Sequence, residues 1–204
     1  MRNATQRHIF EAAGKCVDVA EDGVLAAAVR GSPDGSDTDA DCRVMIAGPI
    51  PPVGRTSIKY RVVSLGARGF HASLFTAPPD ALTGPDSGGV YTMLSGGIDC
   101  FADGAWGKYG PVIGGFKPDD TIEWAVSAPT GNVTVAVNGG APTLVFQGTP
   151  SRAPLIAAGF YLKPDSSVRI ISVETASSDG VRAVFHAGRA LRVSHANKYA
   201  LDRI

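Results

Sequence analysis

The chain has 204 residues, 19 basic against 19 acidic, and no net formal charge, so it offers no overall field for nucleic acid or an anionic membrane surface. With 25 glycines, 14 prolines and an apolar share of 44%, it suits one large β domain of many short elements joined by turns, with a core that needs no covalent staples. Cys16, Cys42 and Cys100 lack CxxC spacing, and no apolar run of about 18 residues occurs. This argues for three buried thiols in a soluble, intracellular, cytoplasmic protein, against a disulfide framework, and against a membrane partner.

In chain order, Thr5 to Lys15 reads as a short helix with Ile9, Ala12 and Ala13 on one side, within an N-terminal appendage over residues 1–16. Val17 and Val19, then Val24 to Val29, flank Glu21-Asp22-Gly23 as strand, turn and strand. The stretch from Gly31 to Asp41 is a polar, acidic loop. Its Asp37, Asp39 and Asp41 have the alternation a hard cation uses, but the glycine and the bidentate Glu that should follow are missing, so the loop is read as solvated, with no metal. Val44 and Ile46 mark a strand that stops at the prolines from Pro49 to Pro52.

Ile58, Tyr60 and Val62 then alternate with Ser57, Lys59 and Arg61, a strand with a charged outer face. After the turn from Leu65 to Gly69, Phe70, Ala72 and Leu74 begin the next strand, and a long loop of prolines and glycines runs from Thr76 to Gly89. Tyr91 and Met93 form a short strand. The aromatic, glycine-rich segment from Ile98 to Gly110 is read as irregular.

The firmest hairpin follows. Ile122, Trp124 and Val126 alternate with polar or small residues, Val133, Val135 and Val137 do the same, and the run ends at Asn138-Gly139-Gly140, residues that accept positive φ. By phase, Trp124 belongs to the core. Pro154 to Leu162 and Val168 to Val173 supply two more strands. The tail from Val181 to Ile204 sets Arg182, Arg189, Arg192, Lys198 and Arg203 against Asp202 alone. It is read as a hairpin or short helix packed on the domain, with a basic surface able to meet an acidic partner, RNA or the Asp34 to Asp41 loop of a neighbouring subunit.

The order of these parts resembles the SPRY domain family, a concanavalin-like bent β-sandwich. The likeness rests on VDVAEDGVLAAAV from Val17, SIKYRVVSLGARGF from Ser57, YTMLSGG from Tyr91, KYG from Lys108, PDDTIEWAV from Pro118, NVTVAVNGGAPTLVF from Asn132 and APLIAAGFYL from Ala153. Arg61 stands where the family often has Glu, HASLF lacks an expected glycine, and Asp119 and Glu123 replace glycines. The resemblance implies an all-β, antiparallel, jelly-roll sandwich over residues 17–175, followed by a basic extension over residues 176–204. It also implies a non-catalytic recognition module that grips a peptide or protein with loops at one end.

Candidate partner-binding residues are Arg68 and Phe70 at one turn, and Asp103, Trp106, Lys108 and Tyr109 in the irregular segment, because aromatics beside a cation compose interaction hot spots. No cofactor is implied. An enzyme is disfavoured: Asp119, Asp120 and Glu123 come nearest to a glycosidase carboxylate pair, but their phase is wrong for one shared face. The alternatives are a structural or assembly protein using the sandwich in a homo-oligomer or particle, and a carbohydrate-binding module.

Overall fold

The computed structural model of the protein describes residues 10–11, 16–21, 23–28, 43–46, 50, 52, 54–66, 70–75, 90–94, 97–102, 105–108, 115–128, 130–147, 157–176, 181–186 and 189–195. These residues form β1 (Phe10–Glu11), β2 (Val17–Val19), β3 (Leu25–Ala28), β4 (Arg43–Ile46), β5 (Arg55–Ser64), β6 (Phe70–Phe75), β7 (Val90–Leu94) and β8 (Gly97–Ala102). There follow β9 (Ala105–Lys108), β10 (Thr121–Ser127), β11 (Asn132–Val137), β12 (Thr143–Phe146), β13 (Ala157–Leu162), β14 (Ser167–Ala176), β15 (Val181–His186) and β16 (Arg189–His195).

Among the described residues the strands build two antiparallel sheets. One has seven strands in the order β1-β4-β13-β6-β7-β8-β9; the other has nine, along β12-β11-β10-β5-β14-β15-β16 with β3 and β2 joined beside β14. The long strand β14 is the hub of the second sheet. It lies against β5 along one edge, while its other edge takes β3 at Ser167 to Arg169 and β15 at Ser172 to Ala176.

Two expectations are corrected. No helix occurs among the described residues, and within the expected Thr5 to Lys15 helix, Phe10 and Glu11 instead pair with Ile46 and Met45. Phe10 is 3% exposed and meets Phe160 edge-on at 6.1 Å; burying a ring stabilises by about 1.5–3 kcal/mol, more than a short helix with a thin apolar face can supply. The segment from Ile98 to Gly110 is likewise not irregular throughout: β8 and β9 form a hairpin, with Phe101 opposite Trp106 and Asp99 opposite Lys108. Its cross-strand pairing is not written along either strand alone.

The core lies between the sheets, and the alternation of β5 shows how it is built. β5 hides Ile58, Tyr60 and Val62 and turns Arg61 and Val63 outward. Opposite them, Phe70, Ala72, Leu74, Ala158, Phe160 and Leu162 come from the seven-stranded sheet. Phe160 is the centre of the aromatic packing, with Tyr60 at 4.9 Å and 78° and Phe70 at 6.2 Å, the edge-to-face geometry that ring quadrupoles favour.

Along β4, β13 and β6 the seven-stranded sheet is also buried on its outer face. Phe75, Tyr161, Met45 and Ser73 occupy the opposite phase from the core set, yet all are buried, and Tyr161 contacts the rings of Phe75 and His71. At its centre this sheet is therefore covered on both sides. Gly159 permits the close approach of β13 to β4: a Cβ there would lie 2.5 Å from the Val44 carbonyl oxygen.

Candidate recognition surface

The register of the seven-stranded sheet sorts the candidate residues into rows. One row runs Ala157, Phe75, Val90, Phe101, Trp106; the row two residues away runs Gly159, Ser73, Thr92, Asp99, Lys108. Because side chains alternate with a period of two, Trp106 and Lys108 stand at positions in line with Phe75 and Ser73, and out of line with the core residues Ala72 and Leu74. β9 is the last strand in that sheet among the described residues.

Phe70 is corrected as a candidate. It is 1% exposed and packs against Tyr60, Phe116 and Phe160, so its ring belongs to the core rather than to a partner. The reason lies in its phase: it leads the inward set of β6. Arg68, Asp103 and Tyr109 lie outside the described residues, as do Asp37, Asp39 and Asp41. The register still sorts the sequence neighbourhoods. β6 begins at the end of the sheet where β7 turns into β8, whereas the connection after Ala102 sits at the opposite end, beside Phe75 and Val90. Of the described candidates, Phe70 on β6 lies in the core, whereas Trp106 and Lys108 stand together on β9.

A void of about 10 Å3 between the sheets is lined by Ile58, Tyr60, Ala72, Trp124, Gly159 and Phe160 among others, space for about one water. Burial pushes the Tyr60 phenol far above its usual range, and the neighbouring Trp124 indole opposes that shift. Neither the Tyr60 hydroxyl nor Trp124 Nε1 has a well-formed hydrogen bond.

The carboxylates nearest to a hydrolase pattern are each engaged in the fold. Asp120 is buried; its Oδ2 accepts from the Lys117 amide at 2.9 Å and its Oδ1 from Asn138 Nδ2 at 2.9 Å. The Asn138 hydrogen bond, ahead of the Lys117 amide and charge, holds the Asp120 carboxyl below its ordinary range. Asp119, at φ 75°, pairs with Arg61 at 2.6 Å, and Glu123 accepts from Ser57 Oγ at 2.7 Å. This arrangement ties the start of β10 to the β11–β12 turn, where the Asn138 side-chain oxygen also accepts from the Thr121 amide at 2.8 Å. The sequence signal for it was the Asn-Gly-Gly turn; that Asn138 also caps an aspartate 18 residues earlier was not readable from that signal. Among the described residues no cluster of three or more His, Cys, Asp or Glu side chains could hold a metal, and no helix is long and apolar enough to cross a membrane.

No protein-family model and no curated protein matches the sequence. Solved structures do match the fold. The SPRY domain of human HERC1 superposes with a TM-score of 0.53 at 14% identity, covering 79% of this chain and 93% of that domain. The PSpry domain of TRIM65 gives 0.54 at 11% identity, covering 79% and 90%. Stonustoxin gives 0.53 at 12% identity over 79% of this chain, but only 26% of its own. The protein therefore has a divergent SPRY-like fold, an all-β antiparallel sandwich.

Proposed function

We propose that this SPRY-like sandwich is a non-catalytic recognition module that binds a peptide or protein partner at the β8–β9 side of the seven-stranded sheet. The observation that supports the reading is that Trp106 and Lys108 lie on β9, the last strand of that sheet among the described residues, at positions out of line with the inter-sheet core residues Ala72 and Leu74. An aromatic two residues from a cation supplies the apolar anchor and the charged contact that interfaces concentrate. Asp103 and Tyr109, which adjoin β9 in sequence, and Arg68, which precedes β6 in sequence, complete the candidate set.

The test is selection of binding peptides from a displayed proteome, followed by affinity measurements on Trp106→Ala and Lys108→Glu variants whose circular dichroism matches the parent. Each substitution is expected to weaken the selected peptides by about 2 kcal/mol, roughly thirtyfold in Kd. Unchanged affinities in both folded variants would remove β9 from the site. Selection of glycans in place of peptides would favour the carbohydrate reading, and a stable multimer by light scattering would favour assembly.

A further inference from the structure

On the outer face of the nine-stranded sheet, three neighbouring register rows reach from β10 to β16, beside a further row of Thr121, Arg61 and Arg169 in which Arg61 pairs with Asp119. The first runs Ser127, Arg55, Ala176, Arg182, Ser194; the second, Ala125, Ser57, Glu174, Val184, Arg192; the third, Glu123, Lys59, Ser172, His186, Arg189. Five lysines and arginines thus stand against two glutamates, although the whole chain is neutral. One of those glutamates, Glu123, already accepts a hydrogen bond from Ser57. Arg55 is exposed and Lys59 half-exposed.

We propose that these rows form a second docking surface, for an acidic polypeptide segment with carboxylates at alternate residues. Consecutive rows are two residues apart on β5, β10, β14 and β15, about 6.8 Å along a strand, while on β16 a register shift sets Arg192 and Arg189 three residues apart; each row holds at least one arginine or lysine. An extended peptide repeats its same-side carboxylates at that spacing, so three alternating acids can each meet a different row. The rows contain no Phe, Tyr or Trp on which bases could stack, and Glu123 and Glu174 would repel a continuous phosphate track. Both features favour a peptide over single-stranded nucleic acid.

The probe is a synthetic peptide with the sequence of residues 34–41, in which Asp37, Asp39 and Asp41 alternate. The controls are a peptide of the same composition with its four aspartates contiguous and a single-stranded oligonucleotide of equal charge. At low ionic strength the alternating peptide is expected to bind at least fivefold more tightly than either control. Raising the salt concentration tenfold should weaken it at least tenfold, and Arg55→Glu and Arg192→Glu, each verified as folded, should each do the same. Binding of the contiguous peptide or the oligonucleotide as tightly as the alternating one would overturn the proposal, as would no detectable binding of the alternating peptide. So would affinity left unchanged by Arg55→Glu, a change on an exposed side chain that the fold tolerates. Trp106→Ala, on the other sheet, should leave this binding unchanged, which separates its failure from that of the recognition site on β9.

Discussion

At the scale of single residues, four positions carry distinct physical demands. Asp120 accepts two hydrogen bonds while buried. Asp120→Asn keeps the shape but places an amide N–H₂ against one of the two donors, and is expected to cost about 1–2 kcal/mol at neutral pH. Because the carboxyl lies below its ordinary range in the folded protein, its contribution is present above the unfolded value near about 4 and is lost as pH falls through the folded one. Urea melts at a series of pH values should therefore show the gap between parent and variant closing below about pH 4.

Tyr60 poses the opposite case. Its hydroxyl is buried without a well-formed hydrogen bond, so Tyr60→Phe is expected to raise stability by on the order of 1 kcal/mol, seen as a higher denaturation midpoint; a lower midpoint would show that the hydroxyl is satisfied in solution. Gly159 has no room for a methyl group, since the Val44 oxygen and Met45 Sδ lie 2.5 and 2.8 Å from a Cβ. Gly159→Ala should destabilise by about 1–3 kcal/mol. At Gly139, where φ is +71° but nothing crowds the site, alanine should cost only the backbone term, about 1–2 kcal/mol. Thermal melts of the pair separate steric from conformational demand.

At the scale of elements, β14 shows how a strand can be recognised and its role missed. Its apolar run from Val168 to Val173 marks a strand, but a register shift between Ile170 and Ser172 breaks the period of two inside that run, and the strand continues to Ala176. Its far edge is closed by β15 from Ser172 to Ala176. Truncation after residue 178 would leave five ladder positions open, and such an edge pairs readily with another chain. Size-exclusion chromatography of the truncated chain is expected to show concentration-dependent association absent from the full chain. The β8–β9 hairpin teaches a related lesson: glycines and aromatics disguise a strand whose identity comes from its neighbour.

At the scale of the whole molecule, the two sheets share one core cluster, in which Phe160 of one sheet meets Tyr60 of the other. Phe160→Ala is expected to cost about 3–5 kcal/mol and to lower the melting of both sheets together. With Trp106→Phe in the background, Trp124 is the sole tryptophan and reports on the nine-stranded sheet. Its fluorescence and the far-ultraviolet circular dichroism should then give one coincident midpoint; separate midpoints would mean that the sheets unfold independently.

Local alternation, read from the residues alone, was enough to determine the sandwich class, the β10–β11 hairpin, the core placement of Trp124 and the acceptance of positive φ at Asn138-Gly139, because periodicity and turn chemistry act between near neighbours. The tertiary structure alone decided that Phe10 extends a sheet, that Phe70 is core, that Trp106 and Lys108 stand on the last strand of their sheet among the described residues, and that basic residues from distant strands line up in rows. Those outcomes depend on which strand lies beside which. Sheet order is set by the burial of whole faces against each other, a global energy that no single stretch of chain contains.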